Sequence, residues 1–349
     1  MGSVIDPDST GATPRYTSIV DASQSPPAQA RNHRSRAAWT LVFCALCWST
    51  AGAVSRHLQV AAGLEITFWR SAFCLVFVGL VLVARDPQGW WRPFLRGGGV
   101  LWLSGACWAI MFTCFMIALM RTTVANTLVV LAIAPLLSAL MARMILAEPL
   151  SITTWTAIAT AFGGIVWMVH DQIGTAHAST AALSGMAIAA GVPLAASVNV
   201  ITLKKWGAQV DLVPAIAIGA LLSCLGTLPL AWPLEATPWD LSLLAILGVA
   251  QLGLPCMLMV GASRHLAPQE IALLALLEVL FGPLWVWLAA GERPSDASLQ
   301  GGIVVLVTLV GNAVWTGYKS NTSTSAPTPS DNVTADSSTS FRASPASRR

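Results

Sequence analysis

Two ionisable side chains carry charge where the neighbouring sequence is hydrocarbon. Glu278 lies in LLALLEVLFGPLWVWLAAGE, residues 273–292, flanked by Ala275, Leu277, Val279 and Leu280. A charged side chain at the centre of a membrane helix costs about 2.5–3.5 kcal/mol on insertion scales. Glu278 must therefore be protonated, paired or turned toward water. The chemistry open to it is to bind a cationic group or to carry a proton. The plainer alternative is a structural hydrogen bond to a neighbouring helix. Arg70, the last residue of Phe68-Trp69-Arg70, could meet a substrate carboxylate, pair with an acid, or snorkel to the surface. Glu65 precedes it by five residues, the wrong offset for a helical ion pair. Asn126, Ser197, Asn199 and Gln251 are polar groups in apolar surroundings. Each could line a cavity and bind substrate. Each could equally tie helices together, worth about 0.6 kcal/mol on average. Glu148 and Glu292 end apolar runs and are expected to cap or fix the following helix.

The motifs of enzyme chemistry are missing. HExxH, GxSxG, a phosphate-binding loop and paired Cys/His metal spacing do not occur. No catalytic residue, metal or cofactor is therefore expected. His33, His57, His170, His177 and His265 are scattered. The seven cysteines all lie in apolar runs. Cys44 and Cys47 form a CxxC, but inside an apolar segment with no strand before it, and they read as small packing residues.

These residues need elements to hold them, and composition says which. The chain of 349 residues is 55% hydrophobic and 10% charged, with mean hydropathy +0.67. Soluble domains carry about 25% charged residues, so lipid is the expected solvent. A net charge of +3 without a basic stripe excludes a nucleic-acid partner. Ten segments are long and apolar enough to cross a bilayer. They run over 37–55, 66–84, 98–119, 124–147, 152–169, 183–203, 212–232, 241–262, 271–290 and 297–317. The first is too long and too far along the chain for a cleaved signal peptide. Residues 1–36 and 319–349 are rich in Ser, Thr, Pro and Ala and read as disordered tails. With the N-terminus inside, eleven loop Lys and Arg residues fall inside and three outside, Arg56, Arg121 and Arg293. The expectation is N-in and C-in. Trp39, Trp90, Trp91, Trp155, Trp206, Trp232 and Trp239 fall near segment ends and read as interfacial anchors. Trp48, Trp108, Trp285 and Trp287 lie deeper and read first as packing residues.

The chain repeats itself. Arg121 precedes Glu148 by 27 residues, and Arg264 precedes Glu292 by 28. Glu148 opens EPLS and Glu292 opens ERPS; GGIVW at 163–167 resembles GNAVW at 311–315. Five helices per half is an odd number, so the second half must sit upside down relative to the first. The expected fold is all-α, ten transmembrane helices in two inverted five-helix repeats, residues 37–170 and 171–318. Inverted repeats place the substrate between them, near the bilayer midplane. Counted back from the shared acid, the counterpart of Glu278 is Ala134. A repeat explains the residues that recur, so the asymmetric acid is the better candidate for function.

The sequence resembles the EamA family of the drug/metabolite transporter superfamily. The resemblance spans residues 37–318. It rests on Trp48-Ser49, Phe68-Trp69-Arg70, Pro135 with Glu148-Pro149, Leu277-Glu278 and Gly291-Glu292, in that order. It implies a bacterial inner-membrane carrier, most often an exporter of amino acids or related metabolites. It also implies that helices 5 and 10 are peripheral, with a homodimer contact there. The chain departs from the family in having Val279 where Pro often follows the Glu; the proline comes at Pro283. A backbone opening displaced by about one turn is expected. The expected function is secondary transport of a small molecule by alternating access, with proton coupling open to Glu278. A nucleotide-sugar or phosphate-ester exchanger is the alternative, disfavoured because Arg70 alone lies well inside a helix. A non-transporting membrane enzyme or scaffold is a further alternative, disfavoured by the repeat.

Overall fold

The computed structural model describes residues 28–61, 63–146, 180–266 and 268–291, with single positions within 152–167 and 296–311. Among the described residues the chain is helical throughout, without strands. The helices are α1 Ala28–Ser49, α2 Ala51–Ser55, α3 Leu64–Arg85, α4 Arg92–Arg96, α5 Gly98–Arg121, α6 Val124–Leu131 and α7 Ala134–Leu146. After these come α8 Thr180–Ala189, α9 Gly191–Trp206, α10 Pro214–Ala231, α11 Pro238–Ile246, α12 Leu254–Ala262 and α13 Pro268–Ala290. A π-helical segment, Leu247–Gly253, joins α11 to α12. Among the described residues seven stretches are long and apolar enough to span a membrane: His33–Ser55, Leu64–Arg85, Gly98–Arg121, Asn126–Ile145, Thr180–Trp206, Pro214–Ala231 and Pro238–Ala262. The predicted fifth and tenth helices apart from isolated positions, residues 1–27, the C-terminal tail, Glu148 and Glu292 lie outside the described residues; residues 28–36, expected as part of a disordered tail, are instead helical in α1.

Burial in this bundle runs opposite to that of a soluble protein. Leu80, Leu225, Leu230 and Leu288 stand exposed, while Ser71, Ser104, Ser138, Ser197 and Asn199 are buried. Exposed leucines are comfortable in hydrocarbon, where buried polar groups draw helices together. The polar groups are paired between helices. Ser71 donates to Ser223 at 2.9 Å, and Thr113 shares a 2.9 Å bond with the same hydroxyl. Ser104 donates to Asn199 Oδ1 at 2.7 Å, and Ser138 to Ser197 at 3.2 Å. Trp39, Trp90, Trp91, Trp232 and Trp239 are exposed, as anchors would be.

Four predicted helices are interrupted: 37–55 at Thr50, between α1 and α2, and three more beside a proline. The predicted 124–147 helix breaks at Ala132-Ile133, just ahead of Pro135, which cannot donate to the preceding turn. The predicted 241–262 helix widens into the π segment before Pro255, one way a helix absorbs a missing donor. The predicted 183–203 helix is divided at Ala190, three residues before Pro193, into α8 and α9. The displaced opening expected near Pro283 is not a break, because α13 runs on through Pro283. Gly248 in the π segment lies against Arg70; a Cβ there would meet the Arg70 carbonyl oxygen at 2.6 Å.

Two buried carboxylates brace one end of the bundle. Asp240 accepts from the backbone N–H groups of Gln59 at 2.7 Å and of Val60 and Ala61 at 3.0 Å each. Glu65 accepts from the backbone of Glu235 and Ala236, both at 2.8 Å, and from Trp69 Nε1 at 3.2 Å. Each acid sits in the first turn of its own helix and holds the loop that leads into the other. Glu65 is thus committed to the brace rather than to Arg70.

Candidate functional site

Two buried apolar clusters fill the bundle, and a cavity of about 170 Å³ opens between them. Phe115 and Val279 of one cluster and Trp108, Leu252 and Cys256 of the other face it. The irregular backbone converges here. Leu131, Ala134 and Pro135 line the cavity from the break between α6 and α7, and Gln251 and Leu252 from the π segment. Unwound or widened backbone at membrane depth is tolerated where it borders a cavity.

Four of the six sequence candidates meet at this cavity: Arg70, Asn199, Gln251 and Glu278. Arg70, on α3, is 3% exposed. Its guanidinium carbon lies 5.7 Å from the centroid of the Phe115 ring, within cation–π range. Its Nε and Nη1 have no hydrogen-bond partner. Glu278, on α13, borders the same space and feels the charge of Arg70. Asn199 is held by Ser104 at its Oδ1, which leaves Nδ2 unpartnered. Gln251 donates Nε2 to the Trp48 carbonyl at 3.2 Å, which leaves Oε1 unpartnered. Buried polar groups are almost always hydrogen-bonded. Among the described residues every such exception but Thr67 Oγ1 belongs to a residue lining this cavity, the arrangement a polar ligand would complete.

The other two candidates do not reach it. Asn126 is buried, and its Nδ2 donates to Thr122 Oγ1 at 3.1 Å. Ser197 bonds back to the Pro193 carbonyl at 2.7 Å and accepts from Ser138, so it works as the expected link between helices. Two tryptophans first read as packing residues are wall residues. Trp48 and Trp108 line the cavity, and Trp108 Nε1 is unpartnered. The only signal for Trp108 was its depth in an apolar segment. Trp285 donates to Ser49 Oγ at 3.0 Å, and Trp287 is exposed. All seven cysteines are free thiols. Cys44 donates to the Pro255 carbonyl at 3.3 Å, in keeping with a packing role. Among the described residues no group of His, Cys, Asp and Glu could hold a metal ion.

Fold and cavity define an integral, multi-pass helical membrane protein with a polar-edged central chamber. Residues 35–170 match the EamA-like transporter family, a family of the drug/metabolite transporter superfamily. That match points to a membrane transporter rather than an enzyme. No curated protein matches the chain. A solved structure described only as "Crystal structure of protein" is 19% identical, with a TM-score of 0.57. The match covers 80% of this chain and 96% of that one. At that identity the likeness is one of fold.

Proposed function

We propose that the chain is a secondary exporter of amino acids or related zwitterionic metabolites, and that the cavity is its binding chamber. One observation carries this reading: the unpartnered Nε and Nη1 of buried Arg70 on the cavity that Glu278 also lines. A guanidinium takes a carboxylate with two directed donors, and a carboxylate takes an ammonium. A zwitterion satisfies both charges at once, and its apolar remainder suits the aromatic walls. A nucleotide sugar or phosphate ester would call for several cations, and Arg70 is the one Lys or Arg among the lining residues.

The route of movement is rocking of two inverted halves, 37–170 and 171–318, about this chamber, with ten helices and both termini in the cytoplasm. Two findings support it. Ala134-Pro135 and Glu278-Val279 stand at equal distances before the repeated acids, and both pairs line the one cavity. The braced loops near residues 60 and 235 share one end of the bundle, as six crossings between them require. In this reading Glu278 also carries a proton during part of the cycle, the protein sits in a bacterial inner membrane, and helices 5 and 10 form a homodimer contact.

The test is thermal unfolding of the detergent-solubilised full chain against three sets of compounds. Amino acids should raise the midpoint more than the matching amines or carboxylic acids that lack one of the two charges. Stabilisation by nucleotide sugars with none by amino acids would replace this reading with the exchanger.

A further inference from the structure

A second pair of unpartnered polar atoms belongs to residues that line the cavity away from Arg70. Ser104, Trp108, Phe112 and Phe115 follow one another along one stripe of α5. Arg70 sits over Phe115. Trp108 lies seven residues earlier, about two helical turns or 10 Å along the axis. Asn199 belongs to the Trp108 level, because Ser104, one turn below Trp108, grips its Oδ1 at 2.7 Å. That bond fixes the amide orientation and leaves Nδ2 as the free edge. Asn199 is fully buried and Trp108 is 3% exposed; both line the cavity, and both Asn199 Nδ2 and Trp108 Nε1 are without a partner. Gly219 of α10 backs the Trp108 Cβ closely enough that a larger residue would push the indole. Between the two levels the Trp108 and Phe112 rings lie 5.5 Å apart and form an apolar wall.

We propose that Asn199 and Trp108 form a tail subsite that takes a neutral acceptor oxygen at the far end of the substrate. Ser104 is the positioning residue. The inference rests on the zwitterion reading of Arg70 and Glu278 and narrows it. The favoured cargo is an amino acid whose side chain ends in an amide, carbonyl or sulfoxide oxygen, not a purely aliphatic one. Both free groups are donors, so they reward an acceptor and reject a second cation. An aliphatic tail would strip both donors of water and return nothing.

Methionine sulfoxide and methionine differ by one acceptor oxygen and add no donor. Their binding to the purified full-length protein in detergent, measured by calorimetry, tests the subsite. The native chain should bind the sulfoxide about tenfold or more tightly than methionine, the weight of one desolvated hydrogen bond. Asn199→Leu and Trp108→Phe should each bring the two ligands to within about twofold. Ser104→Ala should narrow the ratio, and a residue that only held the fold would leave it unchanged. Arg70→Gln should weaken binding of both ligands alike, about 10- to 150-fold, and leave their ratio unchanged. Equal or tighter binding of methionine by the native chain would overturn the subsite, as would a ratio that survives both Asn199→Leu and Trp108→Phe. Failure of the folded native chain to bind either amino acid would overturn the head-group reading, and the subsite with it.

Discussion

A buried guanidinium needs partners, and Arg70 has an aromatic ring beneath it while Nε and Nη1 have no hydrogen-bond partner. Hydrogen bonds to a charged group are worth about 1.5–3 kcal/mol. Arg70→Gln should therefore weaken amino-acid binding about 10- to 150-fold, read by equilibrium binding; an unchanged affinity would remove Arg70 from the site. Glu278→Gln keeps the shape and removes the proton-carrying group. Export by the native chain in liposomes should accelerate when the receiving side is made acidic, and export by Glu278→Gln should ignore that gradient. A retained response would end the proton-carrier role of Glu278. Both charges were legible because ionisable residues are expensive in apolar segments. The neutral candidates were harder to sort. Asn126 and Ser197 look like Asn199 in sequence, yet each finds a partner one turn back on its own chain, Thr122 and the Pro193 carbonyl. Asn199 spends one end on Ser104 of another helix, and only the assembled bundle shows what its other end is left with.

At the level of elements, the α6–α7 break and the π segment put irregular backbone beside the cavity. Pro135 announced the first. The second had Pro255 as a hint, but the close approach of Gly248 to Arg70 involves residues far apart in sequence and could not be read. Pro283 announced an opening that the helix absorbs without ending. The carboxylate brace was missed altogether, since Asp240 and Glu65 look like ordinary first-turn acids. Their long-range partners give them a larger role. Asp240→Ala leaves three backbone N–H groups without their acceptor. Ala61 is the buried one of the three, and an unsatisfied buried donor costs about 1–3 kcal/mol. The variant should lose about 2 kcal/mol or more, seen as a lower thermal midpoint in detergent; a midpoint equal to that of the native chain would show that the brace bears little load.

For the whole molecule, the all-helical membrane class was readable from charge depletion and apolar length, because lipid permits few alternatives to helices. The proposed repeat rests on recurring acids and spacings in the sequence, and Glu148 and Glu292 themselves lie outside the described residues. The meeting of Ala134 and Glu278 at one chamber was only implicit in that register, and the two apolar clusters that frame the chamber needed packing to appear. The central claim is that this chamber carries an amino acid across the bilayer between Arg70 and Glu278. Counterflow in liposomes tests it most directly, with the full chain and its Arg70→Gln variant reconstituted side by side at equal, folded amounts. Vesicles loaded with an unlabelled amino acid should accumulate the labelled one transiently through the native chain and not through the variant. No counterflow across a panel of amino acids, or equal counterflow through Arg70→Gln, would contradict the account.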